Sequence, residues 1–182
     1  MTELRYANEL TRAMDLVGLN QDSVFIGQAV GYPGTAMFNT LKNVPAEKRM
    51  EFPVAEELQL GVSLGLCLAG KNVVSIYPRW NFLLLAMNQL VNHVDKRAEL
   101  FRASTKSRAL IIRTSVGSER PLHPKSQHVG DFSYPVALMC PNVKVVKLEN
   151  PSEIVHAYEE ALRASDRAAT ILVEYGDFYN EK

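Results

Sequence analysis

Apolar positions along this chain follow two periods that take turns. Short β-branched runs at 24–27, 49–52, 72–77, 109–113, 143–148 and 170–175 read as strands, and the stretches between them repeat apolar residues at helical spacing. That alternation predicts an α/β protein, a three-layer αβα sandwich on a mostly parallel sheet of about six strands. In the first helical stretch Leu10, Met14 and Val17 share a face, with Thr2 as the expected cap and Gly18 as the stop. The last opens on Asn150-Pro151-Ser152-Glu153: a capping side chain, proline at the first helical position, and glutamate three residues past the cap. A long helix is expected over 82–101, its apolar stripe made by Leu83, Leu84, Met87, Leu90, Val91, Val94 and Ala98. Segments 31–45 and 115–125 hold too many turn formers for a regular element. Both follow strands, and open α/β sheets bind ligands at the carboxyl ends of their strands.

Composition narrows the function. The 182 residues suit one domain spanning 1–182. Lys plus Arg and Asp plus Glu both count 20, so no global field draws the protein to nucleic acid or an anionic membrane. A small molecule or another protein is the expected partner. Cys67 and Cys140 lie in apolar patterns without CxxC spacing, which predicts core thiols in a reducing compartment. No apolar run approaches the roughly 18 residues of a membrane span, so a soluble, cytoplasmic protein is expected.

Chemistry concentrates at Glu51-Phe52-Pro53-Val54-Ala55-Glu56-Glu57. Here an apolar strand turns at a proline and puts a carboxylate on the first turn of a helix expected over 58–70. Interaction with the helix dipole accounts for such a group at roughly 0.3–1 kcal/mol. Gly61, Ser63, Gly65, Ala69 and Gly70 follow, small residues that let a neighbouring backbone approach.

The wider pattern carries more. Gly27-Gln28-Ala29-Val30, Pro53-Val54-Ala55-Glu56 with Gly61 beyond, Leu68-Ala69-Gly70-Lys71, Trp80-Asn81-Phe82 and Asn88-Gln89-Leu90-Val91-Asn92 occur in this order. Together they resemble the pyrimidine-binding domain of transketolase-like thiamine diphosphate enzymes. The likeness leans to the beta subunit of 2-oxo acid dehydrogenase decarboxylase components, with transketolase and deoxyxylulose-phosphate synthase as relatives, and covers residues 4–175.

The resemblance implies roles. Glu56 would hydrogen-bond the ring nitrogen of the cofactor's aminopyrimidine, while Glu57, about 100 degrees around the helix, would be solvated. Phe82 would stack on that ring, since an aromatic face without polar groups suits it. Tyr32 and Gln28 fall at loop positions near the cofactor, and Trp80 and Tyr77 are further candidates for the pocket wall. In Leu122-His123-Pro124-Lys125-Ser126-Gln127-His128 the family's histidine triplet is altered, leaving His128 and His123 as alternatives for acid-base work. Arg79, Arg113 and Lys125 offer positive charge for a substrate carboxylate or phosphate. His93 and His156 sit in polar helical registers and read as structural.

Relatives hold the diphosphate through a divalent metal bound by a second domain, with a Gly-Asp-Gly signature and a later Asn. Gly130-Asp131-Phe132 and Gly176-Asp177-Phe178 do not continue that way, and no metal ligands are expected here. The implied protein is therefore a stand-alone pyrimidine-binding subunit whose thiamine diphosphate and Mg2+ are completed by a separate diphosphate-binding subunit, in a heterotetramer of two plus two. The implied reaction is 2-oxo acid decarboxylation, or acyl or ketol transfer. Two other readings stay open: a non-catalytic or regulatory subunit of such an assembly, and an unrelated α/β module for a small ligand.

Overall fold

A computed structural model describes residues 5–101, 108–119, 123–164 and 168–180. Six strands, β1 (Ser23–Gly27), β2 (Arg49–Glu51), β3 (Asn72–Ile76), β4 (Leu110–Val116), β5 (Val143–Lys147) and β6 (Ala169–Tyr175), form one sheet in the order β2-β1-β3-β4-β6-β5. Every pairing is parallel. The helices are α1 (Tyr6–Leu19), α2 (Ala36–Asn39), α3 (Glu56–Leu68), α4 (Trp80–Leu83), α5 (Met87–Gln89), α6 (Arg97–Leu100), α7 (Ser133–Met139) and α8 (Pro151–Arg163).

Neighbouring strand residues face opposite sides, so the sheet feeds two cores. Ile26, Val73, Leu110, Ile112, Ile171 and Val173 pack beneath α3, the 80–94 stretch and α7. Phe25, Val74, Ile76, Ile111 and Leu172 pack beneath α1 and α8. Burial on both faces is what a parallel sheet requires, and it explains why these strands read as continuous apolar runs. The predicted α/β sandwich is the observed one.

Local departures have local causes. The expected helix over 82–101 begins two residues earlier, at Trp80, and is broken. A π turn at Leu90–Val94 adds a residue, with Asp95 N–H donating to Leu90 O. Asp95 thereby points inward, where its carboxylate accepts from Asn142 N–H at 2.9 Å, and Ala98 is left exposed. Gly18 does not stop α1, which runs on to Leu19 while Gly18 packs against Val44. Asn150 precedes α8 without a side-chain cap bond, and Thr2 lies outside the described residues. Segment 31–45 contains a regular turn after all, α2, capped by Thr35. β4 continues through Val116 into the segment expected to be irregular from 115, of which 120–122 lie outside the described residues. Cys67 and Cys140 are buried and form no disulfide among the described residues, as expected of core thiols. Among the described residues no helix is long and apolar enough to cross a membrane.

Candidate functional site

The sheet order reverses direction between β1, which leads outward to β2, and β3, which leads to β4. At such a switch point the connections leave to opposite sides and open a crevice at the strand ends. The residues that follow are Gln28 after β1 and Tyr77 to Phe82 after β3. Gly27 permits this crowding: a Cβ there would stand 2.4 Å from the Ile76 carbonyl oxygen.

Glu56 opens α3 beside this crevice, with Ala55 as its uncapped N-terminal neighbour. It is held from two sides. Gln59, one turn on and fully buried, donates from Nε2 to Ile76 O at 3.0 Å and Ser75 Oγ at 3.1 Å, tying the first turn of α3 to β3. Tyr77 Oη donates to the Glu56 carbonyl at 3.2 Å. Burial, with the charge of Glu56 adding to it, raises the Tyr77 phenol far above its ordinary range and keeps it a donor. The Glu56 residue is 6% exposed, yet among the described residues its carboxylate takes only a long bond, 3.4 Å from Gln28 Nε2. Glu57 is exposed and accepts from Asn88, as its register requires.

Two hollows lie near Glu56 and Gln28. One, about 490 Å³ and open, is bordered by Ala55, Glu56, Glu57, Leu58, Leu85 and Gln89. The other, about 420 Å³, is bounded by Gln28, Met37, Arg79, Phe82, Ser115 and Tyr179 among others. Thus Gln28 touches Glu56 on one side and shares a cavity with Phe82 on the other. His128 stands against Phe82, ring centroids 5.3 Å apart, and its buried Nδ1 has no hydrogen-bond partner among the described residues. Glu56, Gln28, Phe82 and His128 are therefore brought together.

The other candidates are placed differently. Trp80 and Tyr77 are buried in the core, not on the cavity wall. Tyr32 is 70% exposed and lines neither hollow. His123 is exposed, its Nδ1 accepting from Lys125 N–H at 2.8 Å. Arg113 is no crevice charge: fully buried, it donates from Nε to Glu174 at 2.5 Å and from Nη2 at 3.1 Å. Tyr158 and Tyr179 also donate to Glu174, and Tyr179 reaches the cavity wall from this network. Of the three cations, Arg79 alone lines the cavity. A Cβ at Gly61 would stand 3.6 Å from Gln89 Oε1, whereas one at Gly65 would meet nothing within 4 Å among the described residues.

Some contributors carried no clear signal in the sequence. Glu51, at the end of β2, accepts from the N–H groups of Ala29, Val30 and Gly31 at 2.8, 2.9 and 2.7 Å, fixing the loop that carries Gln28. Desolvation raises the Glu51 pKa, but these N–H groups outweigh it and the net shift is downward. A carboxylate just past a short strand was the available hint. For Gln59 the hint was a polar residue in the buried register of α3.

Among the described residues no group of three or more His, Cys, Asp or Glu converges as a metal site. No protein-family model matches the chain. It is 27% identical to the pyruvate dehydrogenase E1 component subunit beta of Gracilaria tenuistipitata var. liui, over 191 aligned positions covering all of this chain and 56% of that protein. In solved structures it resembles a split-gene transketolase in an inactive β4 tetramer, with TM-score 0.65 and 12% identity over 95% of this chain and 52% of that one. It also resembles the 2-oxoglutarate:ferredoxin oxidoreductase of Magnetococcus marinus, with TM-score 0.58 and 14% identity over 96% of this chain and 29% of that one. The chain spans about half the length of the curated relative it matches. By its all-parallel sheet and by these likenesses, the chain has an α/β fold similar to that of transketolase-like proteins.

Proposed function

We propose that this chain is the pyrimidine-binding part of a split thiamine diphosphate-dependent enzyme, in which it supplies Glu56 for 2-oxo acid decarboxylation or for acyl or ketol transfer. The observation that carries the reading is the setting of Glu56, a residue 6% exposed whose carboxylate makes one hydrogen bond, a long one, among the described residues. A carboxylate removed from water is costly unless something pairs with it. A ring nitrogen is such a partner. Gln28 holds one oxygen without saturating it, and Phe82 offers an aromatic face on the adjoining cavity. His128 presents a buried ring nitrogen without a hydrogen-bond partner among the described residues. These groups fit the cofactor's pyrimidine.

When bound, thiamine diphosphate supplies the electron sink for a carbon next to a carbonyl. Glu56 is suited to share a proton with the ring, because its apolar surroundings keep that proton from water. Phe82 holds the ring by its face. His128 is suited to give or take a proton at a substrate oxygen, because an imidazole ring carries both donor and acceptor nitrogens.

We assign the diphosphate and Mg2+ to a separate subunit, in an assembly of two plus two chains. The rim of Glu56 supports this: Val54 is 78% exposed, Leu58 58% and Leu85 63%, an apolar border of the kind that partners cover. Two relatives are themselves described as a subunit and as the product of a split gene.

The test is co-purification with the product of the neighbouring gene, followed by calorimetric titration with thiamine diphosphate and a decarboxylase and ketol-transfer assay. Cofactor binding and turnover are expected in the mixture, and E56Q should lower turnover by about 100-fold or more. Full turnover in an E56Q complex would sink the role given to Glu56.

A further inference from the structure

The roughly 420 Å³ cavity has an uneven charge. Among its described lining residues Arg79 is the one ionised side chain; the rest are neutral, with Gln28, Thr35, Ser115 and Ser118 as polar members. No carboxylate among the described residues borders it. The Arg79 guanidinium is nevertheless fixed in place. Its Nη1 donates to Gly117 O at 2.5 Å and to His128 O at 2.9 Å, joining the end of β4 to the turn that bears the histidine. Both acceptors are neutral carbonyls, so the two bonds set the plane of the group without cancelling its charge.

The other edge of the guanidinium is open. Nε and Nη2 hydrogen-bond to none of the described residues, and neither is sealed within the protein. Burial works against the charge of Arg79, and Asp177 supports it only through space. Asp177 itself receives the N–H of Glu119 and does not line the cavity. A planar N–H pair of this kind matches the two oxygens of a carboxylate, and it binds best when the group is held before the ligand arrives. The volume lies within the range of small-molecule pockets. Shared with an aromatic ring, it leaves space for an acid of a few carbons.

We infer that Arg79 is the anion-recognising residue of this cavity: its Nε and Nη2 edge takes the carboxylate of a small 2-oxo acid, while Nη1 keeps the group locked on Gly117 and His128. Naming a 2-oxo acid rests on the proposed function; the carboxylate subsite rests on the cavity and the open edge of Arg79. Lysine would not replace it fully, because an ammonium is a point charge without the paired donors.

The experiment is titration of the 15N-labelled full chain with pyruvate, inorganic phosphate and neutral hydroxyacetone, following the amides of Gly117, Ser118 and Phe82 and the Arg79 Nε–H. Pyruvate is expected to give saturating shifts and hydroxyacetone none. R79M should weaken pyruvate at least about tenfold, R79K severalfold, and E153Q, at the exposed start of α8, not at all. If R79M loses its folded spectrum, the R79K weakening decides. Absence of saturation by pyruvate, or equal saturation in the Arg79 variants, overturns the site. Saturation by phosphate alone overturns the carboxylate assignment. Thiamine diphosphate titrated into the partner complex reads the cofactor proposal separately, so the two fail independently.

Discussion

Replacing Arg113 by methionine should be among the most damaging single changes in this protein. Arg113 and Glu174 are both fully buried, on adjacent strands β4 and β6, joined at 2.5 and 3.1 Å. R113M takes away the counter-charge and two of the bonds to Glu174, leaving only the tyrosine hydroxyls of Tyr158 and Tyr179. An uncompensated buried charge costs about 3–5 kcal/mol. For a chain of this size each kcal/mol lowers Tm by about 2–4 °C, so a fall of about 6–20 °C is expected. Against total stabilities of about 5–15 kcal/mol, that approaches loss of the fold. The assay is urea and thermal unfolding of wild type, R113M, E174Q and R113M/E174Q by circular dichroism. If the charge is the cause, neutralising Glu174 in the R113M background should recover at least half of the loss. A double variant as unstable as the two single losses summed, or an R113M Tm within about 2 °C of wild type, would refute the reasoning. Because Tyr179 reaches the cavity from this network, R113M should also shift the Tyr179 ring resonances.

Three further outcomes follow from the same contacts. Glu51 has its pKa lowered in the fold, so its stabilising share is complete above the ordinary carboxylate value of 4.5 and disappears as pH falls through the lower folded value. The difference in urea midpoint between wild type and E51Q should therefore be larger at pH 7 than at pH 3, and a pH-independent difference would contradict it. G27A must place a Cβ against the Ile76 carbonyl oxygen and should cost about 1–3 kcal/mol, read as a lowered urea midpoint with an unchanged slope. F82A should weaken thiamine diphosphate binding to the partner complex by about 2- to 12-fold, the worth of an aromatic stack of about 0.5–1.5 kcal/mol, with the Tm of the chain changed far less than by R113M. Calorimetry checks it.

Much of the architecture was legible in the order of residues, because burial on both faces of a parallel sheet forces apolar runs that stand out from helical spacing. All six strands were found where 24–27, 49–52, 72–77, 109–113, 143–148 and 170–175 indicated, with ends shifted by a few residues. The 80–101 stretch was misread because its periodicity ignores the inserted π residue, whose cause is a contact between Asp95 and Asn142 far apart in sequence. Glu56, Phe82 and Gln28 could be singled out by ordered motifs; Glu56 borders one hollow, Phe82 and Gln28 the other, and Gln28 reaches Glu56. Tyr77 and Trp80 resembled pocket aromatics equally well, since nothing local tells a wall from a core.

What the amino-acid order determined by itself is the α/β alternation, the apolar faces and the carboxylate at the mouth of α3, all of which depend on neighbours within a turn or a strand. Only the tertiary structure decided which charges are spent and which are available. Arg113 and Arg79 look alike along the chain, but β6 brings Glu174 to the first and seals it, whereas the second meets two carbonyls and faces a cavity. Electrostatic fate depends on the partners that folding brings near, and those partners lie 38 to 61 positions away.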